Sequence, residues 1–260
     1  MSVRKMFRYF RILILLFILF IVAMSTWLSD LRSTDWDEPL WMVVYPINGD
    51  SSEQTTRYIN YLKEKTFSPI EDFIAEEAEY FNKKINTPLQ IKLAPVILEI
   101  PPMPPKDGNI LKVMFWSLKL RYWAYQHDSF VGPSPDIKMY VVYFDPENNP
   151  QLAHSLGLKK GKLGIVNAFA NRLYNQKNNV VITHEFLHTI GATDKYSLET
   201  GLPNYPDGYA KPDKEPLHPQ ELAEIMGARI PLSESTAVMP GSLNQTLIGI
   251  VTAAEIGWGE

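Results

Sequence analysis

The hydrophobic pattern divides the chain into one short apolar run and a long region where strand and helix periods alternate. Ile12 to Leu28 reads ILILLFILFIVAMSTWL with no charge. At 17 residues the run lies at the lower limit for a membrane-spanning helix. A polar stretch over 29–39 carries Asp35, Asp37, Glu38 and Pro39. Leu40 to Ile47 (LWMVVYPI) is rich in β-formers and predicts a first strand. Asn48 to Ser52 supplies turn residues and a helix cap. Helices are expected over Glu53–Lys65 and Ile70–Ile85. The second has Ile70, Phe73, Ile74, Phe81 and Ile85 on one stripe, with Ser68 and Pro69 at its start. Leu89–Ile100 predicts a strand, and the proline-rich 101–105 a stiff loop. Ile110–Gln126 predicts a helix whose aromatics (Phe115, Trp116, Tyr122, Trp123 and Tyr125) are expected to pack in the core. Ile137–Phe144 (IKMYVVYF) predicts a central strand, 145–161 a long polar loop and Lys162–Ala170 a short strand. A helix over Val180–Ile190, apolar nearly all round and capped by Asn178 or Asn179, should be buried. Beyond it lie a Gly- and Pro-rich loop over 201–219, a short helix and turn over Pro219–Gly227, and a last helical turn or two over Thr252–Trp258.

Composition adds one constraint and charge another. With 45% hydrophobic and 21% charged residues the chain should build a packed core. It contains no cysteine, so any metal must be held by His, Asp or Glu. Arg4, Lys5, Arg8 and Arg11 all precede the first acid, Asp30. The positive-inside rule then makes residues 1–11 a cytoplasmic N-terminus, 12–28 a signal anchor in the membrane and 29–39 a tether. Residues 40–260 form one domain on the extracytoplasmic (periplasmic or extracellular) side. A cleaved secretory signal is the competing reading, given the small residues in Ala23-Met24-Ser25. From Asp30 onward 21 basic residues face 29 acidic ones, a balance of −8 that argues against nucleic acid as a partner.

The chemistry concentrates in His184-Glu185-Phe186-Leu187-His188-Thr189-Ile190-Gly191-Ala192-Thr193-Asp194. H-E-x-x-H on a helix puts two imidazoles four residues apart on one face, where both can reach one ion. Glu185 lies about 100° further round the axis, better placed to touch a metal-bound water than the metal. Gly191 can end the helix in a left-handed conformation, letting the chain return toward the ion with Asp194 as a carboxylate ligand. Glu199, Glu215, Glu221 and His218 are the other available third ligands.

The pattern H-E-x-x-H-x-x-G-x-x-D resembles the metzincin clan of zinc endopeptidases, with Asp194 where the clan usually has histidine, as in its snapalysin-like branch. Glu224-Ile225-Met226-Gly227 resembles the clan's methionine turn, and Val238-Met239-Pro240 is a second candidate. The resemblance implies an α+β fold, a mixed twisted sheet packed on helices around a central active-site helix. It implies zinc held by His184, His188 and Asp194, a water in the fourth place, and Glu185 as general base. Tyr196, Tyr205 and Tyr209 are candidates for the donor to the oxyanion. Leu163, Gly164, Ile165 and Val166 would be the edge strand that pairs with an extended peptide or protein substrate. The expected function is that of a membrane-anchored zinc endopeptidase. The alternative is a zinc-holding binding or assembly domain without turnover.

Overall fold

The computed structural model of the chain describes residues 3–105, 109–159 and 161–259. Helices alternate with the strands of one mixed sheet, giving a mixed α/β fold rather than segregated α and β regions. The strands are β1 (Leu40–Asn48), β2 (Leu89–Leu93), β3 (Ile137–Phe144), β4 (Leu156–Leu158) and β5 (Leu163–Phe169). Their order across the sheet is β2-β1-β3-β5-β4. The first four run parallel, and β4 is an antiparallel edge strand beside β5. Central β3 is apolar on both faces, as a strand covered on both sides requires. Successive residues therefore enter opposite cores. Met139, Val141 and Tyr143 join the layer that holds α3 (Ser68–Tyr80) and α5 (Asn175–Ile190). Tyr140 and Val142 face α4 (Ile110–Gln126) on the other side.

Several expected elements differ in extent, each for a local reason. The helix from Glu53 is α2 (Glu53–Asn60), followed by a separate turn of 3-10 helix over Glu64–Thr66. Ser52 caps α2, accepting from the Thr55 amide. α3 ends at Tyr80, where Asn82 turns to positive φ, short of the expected Ile85. β2 stops at Leu93, with the proline at 95 two residues on. The helix expected over 219–227 is instead a two-residue bridge and a 3-10 turn over Ile225–Gly227. α5 begins five residues early, so Asn178 and Asn179 lie inside it rather than capping it. Asn178 exchanges hydrogen bonds with both backbone groups of Phe169, extending β5's pairing onto the helix. The aromatics of α4 divide. Trp116 and Trp123 are buried, whereas Phe115, Tyr122 and Tyr125 stand exposed.

The N-terminal run lies in α1 (Val3–Asp35), which continues as helix through most of the expected tether. Among the described residues no helix is long and apolar enough to cross a membrane, and the side chains of 22, 23 and 25–28 in the expected span lie outside them. The end of α1 is packed into the domain. Trp36 is buried, its indole donates to the Ile256 carbonyl at 2.7 Å, and its ring meets Trp258 at 5.1 Å. Both partners lie just past the last helix, α6 (Ile250–Glu255).

One half-buried carboxyl sets a pH dependence for the fold. Glu77 on α3 accepts the Ile248 amide at 2.8 Å. Burial, reinforced by Glu76 and Glu224, pushes its carboxyl up to about 7 from 4.5, although the Ile248 amide pulls the other way. The folded state thus keeps a proton that the unfolded chain releases above about 4.5, and stability falls as pH rises from there to about 7. Glu77→Gln keeps the acceptor and removes the charge. It should melt higher than wild type at pH 8, with the difference vanishing near pH 4.5, as thermal unfolding across that range will report.

Candidate metal centre

The centre is built on the C-terminal half of α5. Thr183, His184, Glu185, Phe186 and Leu187 are all buried, so this helix enters the core with its polar groups committed to partners. It ends at Gly191, whose φ of 122° is closed to residues with a side chain. A Cβ there would also meet Lys159 Nζ at 2.9 Å. The reversal brings the Ala192 carbonyl back to His188 and carries Asp194 toward both histidines.

His184 Nε2 and His188 Nε2 are 3.1 Å apart, and Asp194 Oδ1 lies 3.2 Å from the first and 3.1 Å from the second. The outer nitrogens decide what this means. His184 Nδ1 faces the Ile225 carbonyl at 2.9 Å and His188 Nδ1 the Ala192 carbonyl at 2.8 Å. A carbonyl only accepts, so each Nδ1 carries its ring's proton and each neutral ring turns an Nε2 lone pair inward. Three lone-pair donors that close need a positive charge among them. A tetrahedral ion with bonds of about 2.0–2.1 Å separates its ligands by about 3.3 Å, close to the spacing present. The donor set therefore fits a metal ion. It is the one group of three or more metal-capable side chains among the described residues. The electrostatics agree. Burial alone would raise the Asp194 carboxyl, but without a metal the imidazoles of His184 and His188, when protonated, donate to it and hold it well below the usual range. Burial lowers the pKa of His184, yet Asp194 and Glu185 raise it overall, so the cluster attracts cations.

Two supports hold the ligands, and neither was singled out in the sequence. The first is Glu255 at the end of α6. It accepts from the Thr193 amide (2.9 Å), the Thr193 hydroxyl (2.6 Å) and buried Lys195 Nζ (2.7 Å). Asp194 is thus clamped on both sides in sequence. The second is Glu224, fully buried, which accepts from the Gly227 amide (2.7 Å), the Gly249 amide (3.2 Å) and the Thr252 hydroxyl (2.7 Å). Burial raises its carboxyl above the usual range, while these bonds and Lys195 oppose that rise. The turn it fixes presents the Ile225 carbonyl to His184, and the Met226 carbonyl accepts the Lys195 amide at 2.9 Å. Met226 is fully buried in that turn, packed in the same core as Phe186 and Leu187. Met239 is 45% exposed and lines the adjoining cavity instead. The one legible sign of Glu224 was an acid directly before an apolar turn, and Glu255 lies too far along the chain for spacing to reveal.

His184, Glu185 and Tyr196 line one open cavity of about 470 Å³. Phe169, Val180 and Val181 give it apolar walls, with Lys177 and Arg229 among the polar lining. Buried Glu185 has its carboxyl raised by burial, while His184 and His188 oppose the shift. It also accepts the backbone amide of Gly157 in β4. β4 crosses α5 so closely that a Cβ on Gly157 would lie 2.3 Å from the Glu185 carbonyl oxygen. Of the three tyrosines, Tyr196 reaches the centre. Its ring lies 6.3 Å from that of His184, its hydroxyl bonds Asp194, and burial and the two nearby acids push its pKa up to about 12. Tyr209 instead meets His218 at 3.2 Å, and Tyr205 is exposed and stacks edge-on against Tyr209. Glu221 pairs with Lys211 and Lys214, and neither it, His218, Glu199 nor Glu215 joins the metal-binding group. The expected edge strand needs correction. Leu163–Val166 lies in β5, flanked on both sides by β3 and β4, so both its edges are already paired. The edge belongs to β4, which the polar composition of 145–161 disguised as loop.

No protein-family model matches the chain. No curated protein matches it either. Among solved structures it is similar to wild-type OgpA from Akkermansia muciniphila, with a TM-score of 0.37 and 10% sequence identity over 83% of this chain. The chain spans 59% of the length of that protein.

The Glu255 clamp makes a measurable prediction. Glu255→Ala frees Thr193 and Lys195 and loosens the Asp194 loop. Loss of such supporting bonds should weaken metal affinity by roughly 10–100-fold, read by competition titration against a chelator.

Proposed function

We propose that this protein is a zinc-dependent endopeptidase of the metzincin type, held at a membrane by α1. The observation that carries the reading is the convergence of His184 Nε2, His188 Nε2 and Asp194 Oδ1 beside the buried carboxylate of Glu185, with His184 and Glu185 lining an open cleft. A module that only stored metal would have no use for an unligated acid there. The two-nitrogen, one-oxygen donor set suits zinc. A zinc ion held there would supply Lewis-acid chemistry, polarising a peptide carbonyl and acidifying a water.

The chain's own groups do the rest. Edge strand β4, paired in the sheet with β5 alone, can align an extended peptide along its outer edge by strand addition. Glu185 takes the proton of the attacking water and delivers it to the leaving amine; burial strengthens it as a base. The Tyr196 hydroxyl, at the cavity wall, turns from Asp194 to donate to the oxyanion as it forms. Ala228, two residues past Met226, carries no hydroxyl for that task.

Peptide-library cleavage and metal content, measured together, test the reading. Glu185→Gln should retain metal and lose cleavage. His188→Ala should lose both. Tyr196→Phe should retain metal and drop kcat by about 10²-fold, the usual effect of removing one oxyanion donor. Wild-type protein that binds no metal refutes the proposal. Metal without cleavage turns the reading to a zinc-holding assembly domain.

For the anchor, the support is the side chains of Ile12–Ile21, ten consecutive apolar residues that are all exposed. Water does not tolerate so continuous a surface. Arg4, Lys5, Arg8 and Arg11 precede it, orienting the N-terminus to the cytoplasm. Alkaline extraction should leave the chain in the membrane pellet; its release to the supernatant would remove this part of the proposal.

A further inference from the structure

Helix α4 is apolar on two opposite faces. Trp116, Leu120, Trp123 and Ala124 are buried against the sheet. On the far side Leu111, Met114, Phe115, Leu118, Tyr122 and Tyr125 are 58–80% exposed. At about 100° per residue these six positions fall within an arc of about 100°, opposite the buried stripe. A solvent-facing helix has no reason to gather its exposed apolar residues in this way, and a stripe this long exceeds scattered surface hydrophobicity.

The borders of the stripe point to its occupant. Lys112 and Lys119 flank it on one side and Arg121 on the other, and α4 contains no acidic residue. It does so in a chain with a balance of −8 beyond residue 29. Aliphatic and aromatic side chains between rows of cations match the polarity profile of a bilayer surface, apolar below and anionic at the headgroups. A second copy of this chain fits less well, because a two-fold contact through this face would set Lys112, Lys119 and Arg121 against their own equivalents. The attachment of α1 keeps the domain close to the bilayer. α1 ends at Asp35 and Trp36 is already buried, so no flexible tether separates the helix from the domain.

We propose that the exposed stripe of α4 seats in the headgroup region of an anionic bilayer, a second membrane contact beyond α1. The proposal rests on the reading of α1 as a membrane anchor. The absence of cysteine allows a direct test in the full chain. Single cysteines replacing Leu118, Tyr122, Leu15 and Leu198 are labelled with an environment-sensitive fluorophore. Each chain is reconstituted into phosphatidylcholine vesicles with or without phosphatidylserine, carrying nitroxide quenchers at shallow or deep positions. Labels at 118 and 122 should shift to the blue and be quenched by shallow nitroxides when phosphatidylserine is present. Adding Lys112→Glu and Lys119→Glu should remove most of that quenching. The label at 15 should respond to deep nitroxides, and the label at 198, on an exposed loop, to neither. Labels at 118 and 122 that stay in water while 15 is quenched overturn the α4 contact and leave the anchor standing. A label at 15 that stays in water counts against the anchor alone, since the 118 and 122 labels report α4 separately. Shielding at 118 and 122 that grows with protein concentration and ignores lipid nitroxides assigns the face to a second copy and overturns the proposal.

Discussion

Three lone pairs directed at one point are the constraint on which this structure turns. Neutral imidazoles and a carboxylate repel one another at 3.1–3.2 Å unless a cation or proton lies between them. The fold holds them there by fixing what lies behind. Backbone carbonyls at Ile225 and Ala192 choose the tautomers, and those carbonyls are held in turn by the Glu224 turn and the Gly191 reversal. Carboxylates recur one layer out, at buried Glu224 and half-buried Glu255, each satisfied by three donors. Placing acids there costs desolvation, and the bonds to backbone amides offset it while making the loops stiff.

Much of the centre was legible in the sequence because it is local. His184, Glu185, His188, Gly191 and Asp194 lie within eleven residues, where helix geometry alone determines who can meet whom. The sheet was legible for a different reason: β1, β3 and β5 are mostly apolar runs, and burial on both faces leaves such runs little alternative. α4 came out with the expected boundaries, Ile110–Gln126.

What sequence reading missed is non-local. β4 is three residues long and contains a glycine, so it has no periodicity to detect; it exists because β5 offers it an edge. The choice among Tyr196, Tyr205 and Tyr209 depended on how 193–209 folds, and that depends on Lys195 meeting Glu255, 60 residues away. The aromatics of α4 were read as core because composition counts them without saying which way they point. Two of the five reach the sheet, and three lie on the opposite side of the helix.

The junction at Trp36 has a consequence for how sequence length is constrained. Thr34 passes so close to Gly257 that a Cβ on that glycine would lie 2.2 Å from the Thr34 carbonyl oxygen. α1 and the domain are therefore joined in a fixed rotational phase. Inserting one residue ahead of Thr34 would turn the outer part of α1 by about 100° and move it about 1.5 Å along its axis, whereas a full turn takes 3.6 residues. Length changes in α1 are thus not equivalent. Those near a whole number of turns preserve which side of the helix the candidate metal centre overlooks, and the others swing it round.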